Sequence, residues 1–161
     1  MARQTKKSQK TQKADTFWKK EEHGSNEITG GMVISRTLKN MGINSVFSLA
    51  GASHTYLLDA LDKDDFAIIS NRHETAAVAA ADGYARVTGK PGVALIISDQ
   101  GLPNAVSGIL TAHEACSPVI VIVARLPTNW IQPQSEVDHD ALALARPITK
   151  WARTVHSAER L

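Results

Sequence analysis

The chain has 161 residues, enough for one domain and little more. With 43% hydrophobic and 21% charged residues it can bury a core, and its fully apolar runs, such as Val119 to Ala124, are far too short to cross a membrane. A single cysteine, Cys116, excludes an intrachain disulfide and a Cys-based zinc cage, and 5% aromatic residues argue against an RNA-stacking surface.

The formal net charge of +2 conceals a split. Residues 1–20 hold seven Lys/Arg against Asp15 alone, which leaves 11 basic and 15 acidic residues from 21 onward. Residues 1–26 are expected to be a disordered basic extension, rich in Gln, Lys and Thr as far as about Glu22. The extension has no apolar h-region and reads more simply as a solvated tail than as a targeting segment. Its charge supports at most weak, nonspecific contact with nucleic acid.

From Ile28 onward helical and strand patterns alternate. Thr29 can cap a helix through Met32, Val33, Leu38 and Met41, stopped by Gly42. Ser45 to Gly51 reads as a strand ending in a turn, and His54 to Leu61 as a short amphipathic helix closed by Asp62, Asp64 and Asp65. Phe66 to Ser70 is a second strand. Glu74 to Val87 is an alanine-rich helix ended by Thr88-Gly89-Lys90-Pro91-Gly92. Gly92 to Ser98 is a third strand, Leu102 to Ala115 a helix, and Val119 to Ala124 a fourth strand. Lys150 to Val155 is expected to form a fifth strand, with Ser157 capping the first turn of a further helix. The third and fourth strands are continuously apolar. That pattern belongs to strands covered on both faces, and so to a three-layer α/β fold with a mainly parallel sheet between two helical layers.

In such folds ligands bind beyond the carboxyl ends of the strands. The second strand ends in Asn71-Arg72-His73-Glu74 and runs into a helix of very small side chains. A glutamate in the first helical turn interacts favourably with the helix dipole, and a carboxyl in a closed site suits proton transfer. The plainer reading makes Glu74 an ordinary helix-start acid with Arg72 as its surface partner. His73-Glu74 and His113-Glu114 each begin a zinc-protease pattern, but Ala77 and Ser117 stand where the second histidine belongs. His113 reads as a helix-surface residue, and Cys116 as a buried small hydrophobe rather than a nucleophile. His54 follows the first strand's turn and has two readings, a packed residue or one facing a pocket.

Several stretches in order and spacing carry a resemblance. They are Ile28-Thr29-Gly30-Gly31, Gly42 to Phe47, Arg72-His73-Glu74 with Ala80-Ala81-Asp82-Gly83-Tyr84-Ala85-Arg86, Thr88 to Val93, and Pro147 to Ala152. Together they resemble the N-terminal, pyrimidine-binding domain of the thiamine-diphosphate enzymes related to acetolactate synthase, pyruvate oxidase and the 2-oxo-acid decarboxylases, over residues 27–161. The resemblance implies thiamine diphosphate as cofactor and Glu74 as the catalytic residue. The family glutamate hydrogen-bonds a ring nitrogen of the aminopyrimidine and so promotes removal of the thiazolium C2 proton. It also implies a cofactor-binding set of Ala50, Gly51, Glu74, Ser98, Gly101 and Asn104, with no metal ligand in this chain.

The matches have departures. Leu49-Ala50-Gly51-Ala52 stands for the family's V-P-G-G, and Asp99-Gln100 replaces Gly-Pro between Ser98 and Gly101. Gln134-Ser135-Glu136-Val137-Asp138 stands for F-Q-E-x-D, so no substrate role is carried onto Gln134 or Ser135. Nothing matches the family's G-D-G motif, which holds Mg²⁺ and the diphosphate. The last helix and strand of the family domain are also unmatched. The expectation is therefore one half of a cofactor site, with a diphosphate-binding domain or subunit in trans supplying Mg²⁺. A homo- or hetero-oligomer, cytoplasmic, with no membrane and no specific nucleic-acid partner, completes it. The alternative is a non-catalytic remnant or interaction module that retains the dimer face.

Overall fold

The computed structural model describes residues 28–97, 100–125, 140–157 and 160–161. The basic extension, the pair Ser98 and Asp99, and the stretch containing Gln134 to Asp138 lie outside the described residues.

Helix α1 (Gly30–Asn40) starts as its capping residue requires: the Thr29 hydroxyl accepts the Met32 N–H at 3.3 Å. Gly42, with φ +76°, turns the chain into strand β1 (Ser45–Ser48). A short 3₁₀ turn (Ala52–His54) then leads into α2 (Thr55–Lys63) and β2 (Ala67–Ser70). Helix α3 (Glu74–Thr88) ends at Gly89 in the left-handed conformation and is followed by β3 (Gly92–Ile97). Helix α4 (Gly101–Glu114), β4 (Val119–Ala124), α5 (Ala141–Ala145) and a 3₁₀ turn (Arg146–Ile148) complete the described elements.

The strands form one parallel sheet in the order β2-β1-β3-β4. Side chains of β3 alternate between two cores. Val93 and Leu95 join Leu38, Ile43, Leu57, Leu61 and Phe66 on the α1/α2 side. Ala94 and Ile96 join Ala77, Val78, Ala81, Leu102, Ala105 and Ile109 on the α3/α4 side. The expected three-layer α/β architecture is present. A Cβ on Gly92 would overlap the Ala81 carbonyl, so the alanines of α3 let that helix lie directly on β3.

Three expectations change. Residues 150–155 form no strand: they pair with no strand among the described residues, and Trp151 is 71% exposed. A strand needs a ladder partner, and these residues have none among those described. β4 is as apolar as β3 in sequence, yet all six of its residues are only half-buried, because it stands at the sheet edge. Cys116 is exposed, not buried, with φ +53°. It is the turning residue of a Schellman-type cap, in which the Ser117 N–H reaches back to the Ala112 carbonyl at 3.0 Å.

Candidate functional site

The carboxyl ends of β1 and β3, together with the starts of α3 and α4, bring the site residues together. His73 is extended and caps α3, its Nδ1 accepting the Thr75 N–H at 3.3 Å. Glu74 is thereby the first residue of the helix. It is only 5% exposed, which removes the reading of an ordinary surface acid. Its hydrogen-bond partner is Asn104 rather than the exposed Arg72: Asn104 Nδ2 donates to Glu74 Oε2 at 3.1 Å. The neighbouring Thr75 hydroxyl donates to the Asn104 carbonyl, which ties the first turns of α3 and α4 together.

Gly101 opens α4 directly against the carboxyl. A Cβ there would lie 3.2 Å from Glu74 Oε1 and 2.7 Å from Ile97 Cγ1. The same Ile97 side chain bounds Gly51, where a Cβ would stand 2.6 Å from Cγ2. Ile97 is thus a wedge between the turn after β1 and the start of α4, and sequence reasoning missed it. As the last residue of an apolar strand it looks like core; the glycines at both contacts were the available signal.

The turn after β1 is held by several bonds. The Gly51 N–H donates to His54 Nδ1 at 3.1 Å, and the His54 N–H returns to the Gly51 carbonyl at 3.0 Å. Ser53 Oγ donates to the Ala124 carbonyl at 3.2 Å, fastening the turn to the end of β4. Ala50 stands exposed ahead of Gly51. His54 is fully buried and faces no open pocket. Burial pushes its imidazole below the ordinary value of 6.5, with the Ile96 backbone opposing more weakly. Its Nε2 has no hydrogen-bond partner, and neither has the buried Ser48 hydroxyl at the end of β1.

Of the sequence-predicted set, Gly51, Glu74, Gly101 and Asn104 form a chain of contacts through Ile97. Ala50 adjoins that chain, and Ser98 lies outside the described residues. Farther along α3, Arg86 grips Asp82 with two nitrogens at 2.8 and 2.7 Å and holds its carboxyl below the usual range, while burial opposes. His113 is exposed on α4, as expected. Among the described residues no group of three or more His, Cys, Asp or Glu is placed to hold a metal ion, and no helix is long and apolar enough to cross a membrane.

Residues 28–144 match the family described as thiamine pyrophosphate enzyme, N-terminal TPP binding domain. The chain is 40% identical over 134 residues to the probable acetolactate synthase large subunit of Methanocaldococcus jannaschii, covering 83% of this chain and 23% of that protein. It is 35% identical over 134 residues to the acetolactate synthase large subunit of Haemophilus influenzae, with the same 83% and 23% coverage. A solved structure of a putative thiamin diphosphate-dependent enzyme from Mycobacterium smegmatis superimposes with a TM-score of 0.72 at 26% identity, over 80% of this chain and 25% of that one. The chain spans about a quarter of the length of these relatives. By sequence and by fold, the chain belongs to the thiamine pyrophosphate enzyme family and carries its N-terminal TPP binding domain.

Proposed function

We propose that this chain binds the aminopyrimidine half of thiamine diphosphate as one half of an acetolactate synthase-like enzyme acting on 2-oxo acids. A diphosphate-binding domain or subunit in trans completes the site. The observation that carries this reading is the Glu74 carboxyl, buried at the start of α3, with Oε2 bonded to Asn104 and Oε1 beside Gly101, where no side chain stands against it. The residues fit the cofactor. A buried carboxyl with one oxygen already engaged is suited to hydrogen-bond a ring nitrogen, and the side-chain-free positions Gly51 and Gly101 suit the close approach of a flat ring.

When bound, thiamine diphosphate supplies the electron sink for carbon–carbon chemistry on a 2-oxo acid. The chain's own contribution is positional and protonic. Glu74 would hold or give up a proton at Oε1. Asn104 fixes the other oxygen. Ala50, Gly51 and Gly101 would line the ring, and Ser98 is proposed for the same role from its place in the sequence. Mg²⁺ and the diphosphate belong to the partner domain. Residues 27–161 act as the pyrimidine-binding domain, and the assembly is a cytoplasmic oligomer.

Calorimetry with Mg²⁺ and thiamine diphosphate tests this. The chain alone should show no tight site, and adding the diphosphate-binding domain of a relative should create one. Submicromolar binding by the lone chain would contradict the need for a partner. Absence of binding in both cases would favour an interaction module that retains the fold without the cofactor.

A further inference from the structure

His54 is a buried titratable side chain with no part in the proton chemistry proposed for Glu74. Its imidazole is completely buried; Nδ1 makes a well-formed hydrogen bond, whereas Nε2 makes none and the Ile96 backbone interacts with the ring only weakly. Nδ1 accepts the Gly51 N–H, so the neutral ring carries its proton on Nε2, where the donor makes no hydrogen bond of good geometry. An aliphatic side chain at 54 would fill this place without a poorly satisfied N–H. It would not accept from Gly51. The bond is one half of a closed pair, since the His54 N–H returns to the Gly51 carbonyl. On its other side Gly51 is blocked by Ile97, which also touches the Gly101 position beside Glu74. The Gly51 backbone is therefore fixed by a histidine acceptor and by an apolar wedge continuous with the site.

We infer that His54 is a positioning residue: its Nδ1 clamps the Gly51 amide and holds the Ala50–Gly51 turn in the shape that receives the pyrimidine ring. This rests on the proposed cofactor reading for its purpose, but the clamp itself is measurable without cofactor. The nearby structure keeps the acceptor available. β3, which packs against the turn, carries no ionisable residue, and on α2 Asp59, Asp62 and Lys63 are all exposed. Burial favours the neutral ring, which leaves Nδ1 unprotonated at neutral pH.

The test uses the full chain and two variants. In His54→Asn the Oδ1 atom replaces Nδ1 as acceptor and nothing replaces Nε2; in His54→Leu the acceptor is lost. Nitrogen NMR of the wild type should show Nε2 protonated and Nδ1 not. Hydrogen exchange of the Gly51 amide should speed up about tenfold in His54→Leu, the size of one hydrogen bond, and stay protected in His54→Asn. In the complex with a diphosphate-binding domain, thiamine diphosphate affinity should fall about tenfold in His54→Leu and be restored in His54→Asn. A protonated Nδ1 in the wild type overturns the clamp even if His54→Leu fails to fold. So does Gly51 exchange indifferent to His54→Leu, or equal cofactor affinity in the two variants. A wild-type complex that shows the expected tautomer and exchange but binds no cofactor overturns the proposed function instead.

Discussion

On one side of the sheet, α1 and α2 pack through Leu38, Leu57, Leu61, Ile43 and Phe66; on the other, α3 and α4 meet through Ala77, Ala81, Ala105 and Gly108. Bulky side chains keep backbones apart and bury much apolar area per residue. Small ones bury less but let backbones approach. On the α3/α4 side a Cβ on Gly108 would stand 3.1 Å from the Thr75 carbonyl. That closeness lets the Thr75 hydroxyl reach the Asn104 carbonyl and the Asn104 amide reach Glu74. The first contact thus rests on bulky side chains, and the second gives up side-chain volume at Ala77, Ala81, Ala105 and Gly108 to assemble polar groups at its end.

The division can be broken from either side. Leu61 is 1% exposed in the bulky layer. Leu61→Ala should destabilise the fold by ~2–5 kcal/mol in urea titrations while leaving cofactor affinity of the folded complex near wild type. A large loss of affinity at full folding would show that the layers are not separable. Gly101→Ala adds a single methyl group to the other layer. It should cost about 1–3 kcal/mol of stability by overpacking against Ile97 and Glu74, and should cost more in cofactor affinity than in stability. Paired calorimetry and denaturation decide this, and unchanged affinity would remove Gly101 from the site.

Acid should bring smaller losses, from one group at the turn and one on α3. The folded pKa of His54 lies below its ordinary 6.5, so on acidification the unfolded chain takes a proton that the folded imidazole refuses. Its contribution is complete above 6.5 and declines as the pH falls below that value. The folded pKa of Asp82 lies below its ordinary 3.8, so its contribution persists above 3.8 and is lost as the pH falls through the lower folded value. Melting temperature against pH should show both stages, the first absent in His54→Asn and the second reduced in Asp82→Asn. A profile shared by all three proteins would contradict both assignments.

The layered fold was legible because continuous apolar runs such as Val93 to Ile97 demand cover on both faces, and Thr29 and Gly89 mark helix ends unambiguously. Strand position was not legible. β3 and β4 read alike, yet only their order in the sheet makes one buried and the other half-open. The strand expected at Lys150 to Val155 failed for a related reason: a local stretch does not carry the identity of its ladder partner. At the site, Glu74, Gly101 and Asn104 were placed by spacing and resemblance. The wedge of Ile97 was not, since it depends on how the turn after β1 meets the start of α4; the His54–Gly51 bond lies within one turn, but which way the imidazole faces was open in the sequence.

The central claim is that the small-residue layer exists to present Glu74. Its most direct measurement is exchange of the C2 proton of thiamine diphosphate in a complex of this chain with a diphosphate-binding domain, for wild type and for Glu74→Gln. The wild-type complex should accelerate exchange, and Glu74→Gln, folded and still able to bind the cofactor, should lose on the order of 10²–10⁴-fold of that acceleration. Exchange at the wild-type rate in Glu74→Gln would contradict the account.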